Sequence, residues 1–191
     1  MTLKILTPPG IEPVSLDQAK AVLRVTSADE DALIGALIAA ARERVEAELG
    51  LCLIATALRE DFDGWTGRLS ATGAARLSRG PLISVQAVRV ADAGGAPQAL
   101  DPSLYAARPG SRPGRFVPAP GRSFSAPQSP DAGIEVDYTA GFGPAASDVP
   151  GPLVQAVLSL LAHAFEHREA ADKPPIALVE PWLAPFRRTR L

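Results

Sequence analysis

The stretch from Asp29 to Gly50 constrains the fold more than any other. Ile34, Leu37, Ile38, Ala41, Val45 and Leu49 recur at helical spacing and line one face. Arg42, Glu43 and Glu46 are read as lying off that stripe, and Gly50 supplies a stop. Ser27 or Asp29 is the expected N-cap, with Asp29, Glu30 and Asp31 placed where a helix dipole favours anions. An apolar stripe of this length needs other helices to cover it. One lies just upstream, where Ser15 and Gln18 form a capping box for a short helix to about Val25. The other follows Pro150, where Leu153, Val157, Leu160, Leu161, Ala164 and Phe165 form a second broad stripe, with Lys173-Pro174-Pro175 as its stop.

Between these helices the pattern changes to that of strands. Ile83, Val85 and Ala87, then Val88 and Val90, alternate with polar residues across a break in phase that predicts a bulge or a turn. Asp92-Ala93-Gly94-Gly95 reads as a turn, and Ile134, Val136 and Tyr138 alternate with polar neighbours as in a half-buried strand. Residues 107–130 hold nine Pro or Gly and few large apolar groups, which predicts a long ordered loop or a flexible arm. The expected fold class is α+β: a small helical bundle, with two N-terminal helices and a long third helix, a β-rich insertion and an extended C-terminal tail. The expected divisions are 1–51, 52–143, 144–172 and 173–191.

Composition narrows the function. Hydrophobic residues make up 47% and aromatics only 5%, so Ala, Leu, Val and Ile must build the core. A formal charge of −2 gives no global attraction to nucleic acid or to an anionic membrane. The lone Cys52 excludes an internal disulfide framework and reads as buried filler, and Met1 to Gly10 resembles neither a signal peptide nor a membrane anchor.

One string looks catalytic. His163-Ala164-Phe165-Glu166-His167 matches H-x-x-E-H, in which two histidines one turn apart ligate zinc and the glutamate acts as base. These are the only histidines, and little chain follows to supply the third ligand that catalytic zinc needs. A polar helix face is the expected reading, with no catalytic residue, no metal and no cofactor. Gly141-Phe142-Gly143 lacks the rest of a phosphate loop and reads as a strand exit. Glu60, Asp61 and Asp63 read as solvated charges on an edge strand rather than a cation site. The tail is different: Trp182 and Phe186 precede Arg187, Arg188 and Arg190, the residue types enriched at binding hot spots.

Several strings together resemble a known family. Pro13-Val14-Ser15-Leu16-Asp17-Gln18-Ala19-Lys20 is similar to the opening of the head–tail connector (adaptor) proteins of long-tailed phages, and Asp29-Glu30-Asp31-Ala32-Leu33-Ile34 to their second helix. Val136 to Gly143 resembles the strand and turn that close their β-rich insertion. Val149 to Ala156 and Leu161 to Glu169 resemble the start and end of their third helix. The resemblance implies a structural, non-enzymatic protein of phages, prophages or gene transfer agents, made in the bacterial cytoplasm and carried in the particle neck. It implies a homo-oligomeric ring of roughly twelve subunits, seated on the portal protein and meeting a further connector, stopper or tail protein. DNA would pass through the ring without specific binding, and no membrane is involved. Trp182, Phe186, Arg187, Arg188 and Arg190 are then the expected portal-binding residues. The rival readings are another neck or tail-completion protein, and a zinc hydrolase built on His163, Glu166 and His167.

Overall fold

The computed structural model describes residues 2–67, 69–70, 73–129, 133–167 and 175–187 of the 191. The chain is mixed α and β and divides into two compact units, Met1–Pro9 with Gly50–Phe142, and Gly10–Leu49 with Gly143–Leu191. In chain order the elements are β1 (Thr2–Thr7), α1 (Leu16–Leu23), α2 (Asp31–Leu49), β2 (Thr56–Phe62), β3 (Ala75–Arg76), β4 (Leu82–Ala91), β5 (Pro97–Ala99), β6 (Tyr105–Ala107), β7 (Arg115–Pro118), β8 (Ile134–Ala140), α3 (Gly151–Glu166) and α4 (Glu180–Leu183).

In the helical unit, α1, α2 and α3 pack on one another and α4 packs on α3. The expected capping box is present: Ser15 Oγ accepts from Gln18 N–H (3.1 Å) and Gln18 Oε1 from Ser15 N–H (3.0 Å). Arg24, at φ 56°, ends α1 in the left-handed conformation. The start of α2 differs from expectation. Ser27 and Asp29 hydrogen-bond each other in a local turn, and the Glu30 carbonyl takes the first helical bond, from Ile34 N–H at 2.9 Å. Arg42 also differs: it lies on the buried face, four residues after Ile38, and is 7% exposed. Its guanidinium meets Glu12 (2.8 Å) and Glu46 (2.9 Å), so an inward charge is tolerated because it is paired.

In the β unit an antiparallel sheet runs β1-β2-β8-β4-β5, beside a smaller antiparallel sheet, β3-β7-β6. β1 was not anticipated. The phase break in β4 is two register shifts against β8, at Leu82/Ser84 and Val85/Ala87. The turn after Asp92 forms, with Gly95 N–H on the Asp92 carbonyl (3.0 Å). Gly141 follows β8 at φ +147°, where a Cβ would lie 2.6 Å from the Ala55 nitrogen, so this strand exit needs glycine.

Two further expectations are corrected here. β2 is an inner strand, between β1 and β8, and Glu60 faces the core at 0% exposure. Its carboxylate accepts from Ser78 N–H (2.8 Å), Ser78 Oγ (2.7 Å) and Tyr138 Oη (3.1 Å). Residues 107–130 contain the strand β7, and Phe116 is fully buried. Phe124 stacks on Trp65 at 4.6 Å, and Trp65 Nε1 donates to the Ser125 carbonyl (2.8 Å). Two aromatics thus tie a Pro/Gly-rich segment into the core.

Candidate functional site

The C-terminal cluster is assembled by α4 and the helical turns on either side of it. The described part, 175–187, is coiled rather than extended, because Val179 and Leu183 are fully buried and dock it within its unit. That docking turns Trp182 outward at 41% exposure, with Leu178 at 46%, while Phe186 is half-buried. Arg187 is committed within the chain: it donates to both Glu180 oxygens (2.7 Å each) and to Glu48 near the end of α2 (2.8 Å). The Arg187 guanidinium holds the Glu180 carboxyl below its ordinary range. Arg188 and Arg190 lie outside the described residues, as do residues 168–174, where the third helix was expected to end. Of the three tail residues that the structure describes, Trp182, Phe186 and Arg187, it leaves Trp182 the exposed one with no ion pair to hold it, and it adds Leu178, which carried no sequence signal beyond being apolar.

The H-x-x-E-H string sits at the end of α3. The His163 and His167 rings stack face to face, 4.2 Å apart and 16° from parallel. His167 Nδ1 is turned onto the His163 carbonyl (2.9 Å). Stacked imidazoles bonded in this way do not aim two nitrogens at a common centre. Among the described residues, no group of three His, Cys, Asp or Glu is placed to hold a metal ion.

One face of the larger sheet is a charged lattice that the sequence reading missed. Asp137 on β8 is gripped from both sides, by Arg59 on β2 through two bonds (2.6 and 2.8 Å) and by Arg89 on β4 (2.8 Å). Lys4 on β1 pairs with Asp61 on β2 (2.9 Å). The Arg59 guanidinium, with help from Arg89, holds the Asp137 carboxyl below the usual aspartate range. Alternating Arg59 and Asp61 along β2 was the available signal; the edge-strand reading took in Glu60, Asp61 and Asp63 but not Arg59. No helix among the described residues is long and apolar enough to cross a membrane.

Within the helical unit, an exposed aromatic residue on a segment braced by ion pairs is suited to binding a partner. Residues 13–92 match the family described as phage gp6-like head-tail connector protein. The likeness to solved structures spans all of this chain and 97% of each of theirs. These are the neck of an empty GTA particle computed with C6 symmetry (26% identity, TM-score 0.80), the virion of a native gene transfer agent particle (28%, 0.76) and the neck of a native GTA particle computed with C12 symmetry (25%, 0.74). No curated protein matches the chain. The family match takes in the two N-terminal helices from which the resemblance to head–tail connectors was read, and the likeness to particle and neck structures extends over the strand exit and the third helix.

Proposed function

We propose that this chain is a structural head–tail connector subunit that forms a ring on the capsid portal, extends the DNA channel and joins head to tail. The observation that carries the reading is full-length likeness to particle and neck structures, two of them computed with C6 or C12 symmetry. In such a ring each subunit presents two different faces, one to each neighbour. The finer architecture of the reading is a helical bundle that acts as a wedge, with the β unit supplying lateral surfaces.

Within the reading, the C-terminal cluster anchors the subunit to the portal. Trp182 and Leu178 supply an apolar anchor, Phe186 supports it, and Arg188 and Arg190 add charge. Arg187 braces the segment through Glu180 and Glu48. A buried aromatic anchor contributes more than about 2 kcal/mol, against roughly 0–1 for an exposed ion pair. Trp182→Ala should therefore leave mostly full heads without tails when particles are counted by electron microscopy, whereas Arg188→Ala should weaken attachment slightly and in a salt-dependent way. Normally tailed particles from Trp182→Ala would move the anchor elsewhere. Absence of the protein from purified particles would overturn the connector reading itself.

A further inference from the structure

The net charge of −2 conceals a strong internal asymmetry. Residues 64–91 and 102–130 hold eight arginines and not one Asp, Glu or Lys. Part of this excess is organised by the smaller sheet. Ala75, Phe116 and Ala107 point inward, so the alternate residues point out. Arg76 on β3 lies directly opposite Arg115 on β7, and Arg108, just after β6, donates its N–H to the Arg115 carbonyl (2.9 Å). Three exposed arginines thus form a row across three strands, on strands about 4.8 Å apart. Arg108 and Arg115 also line an open concavity of about 920 Å³ with Arg122 and Ser103. Among the described residues, none of Arg76, Arg108, Arg115 and Arg122 has an acidic partner.

Like charges directly opposite on a sheet are destabilising. The row therefore fits a face that is neutralised by something outside the chain. Its chemistry separates two kinds of anion. Protein hot spots combine arginine with buried aromatic anchors, and beside its arginines the concavity offers only Ala, Pro and Gly with half-buried Tyr105 and Val117. A phosphate backbone requires positive charge alone. We propose that the Arg76–Arg115–Arg108 row, with Arg122, is a sequence-independent docking surface for the phosphates of duplex DNA. Building on the connector reading, it would give DNA in the neck a weak electrostatic hold that ring repetition multiplies.

The test is fluorescence anisotropy of a labelled 20-base-pair duplex with the purified full chain, titrated with salt. Binding at low salt should fall steeply as salt rises. Replacing Arg76, Arg108 and Arg115 together by Ala should weaken binding at least tenfold and flatten the log–log salt slope by about 1 for each arginine–phosphate pair removed. The three side chains are exposed, so the variant should melt like the wild type, and Arg115→Lys should retain most binding. Three outcomes overturn the proposal: no duplex binding by the wild type at low salt, binding unchanged in the triple variant, or loss of tailed particles from a triple variant that still binds DNA normally. The last would assign the arginines to a protein interface. Whether wild-type protein is found in purified particles tests the connector reading separately.

Discussion

Glu60 and Asp137 show how two carboxylates in one sheet can be held in opposite ways. Glu60 is inside, with donors from Ser78 and Tyr138 around it. Removing its side chain would leave those donors buried without this acceptor, each at a cost of roughly 1–3 kcal/mol. Glu60→Ala should therefore destabilise the protein by about 3–5 kcal/mol, whereas Tyr138→Phe should cost only about 1 kcal/mol; urea denaturation midpoints measure both. Asp137 sits on the charged face, where Arg59 and Arg89 lower its affinity for protons. A carboxyl whose folded pKa is depressed adds stability above its unfolded value, near 3.9, and loses it as pH falls toward the folded value. The wild type should thus exceed Asp137→Asn in stability at neutral pH, by about 1–3 kcal/mol. The gap should close below about pH 4, as thermal melts across a pH series would show.

At the level of elements, α1, α2 and α3 were legible because their information is local. A capping box, a repeating apolar stripe and a glycine stop each act within a few residues. Ser15→Ala should remove one of the caps and cost about 1 kcal/mol, read from the same denaturation curves. The sheets were harder to read, since register depends on partners far away in sequence. In Thr2–Thr7 only Leu3 and Ile5 alternate with Thr2 and Lys4 before Leu6 breaks the pattern, too short a signal without the pairing to Thr56–Phe62 that makes it a strand. The same holds for β7, where Pro and Gly at high density masked Phe116 and its aromatic neighbours. Within 107–130, trypsin should therefore cleave after Arg122 before it cleaves after the strand residue Arg115, and mass spectrometry of early fragments would show the order. The candidate site divides along the same line. Trp182 was legible as a residue type, but the commitment of Arg187 to Glu48 crosses most of the chain.

For the molecule as a whole, the stacked histidines bear on whether stability depends on metal. Stability that rested on zinc would respond strongly to a chelator. EDTA should leave the thermal midpoint unchanged, and the double replacement of His163 and His167 by Ala should leave tailed particles at normal numbers. A fall in both together with loss of bound zinc would restore the hydrolase reading.

The interleaving of the two units governs how the chain can be born on a ribosome. β1 is made before its partner β2, and β2 stays open on its other side until β8 appears. α2 likewise waits for α3, whose synthesis follows β8. The β unit cannot close until β8 has been made, nor the helical unit until α3 has followed it. A product that stops before β8 would lack a finished version of either unit, so such incomplete synthesis would yield substrate for proteases rather than a defective subunit able to enter a growing ring.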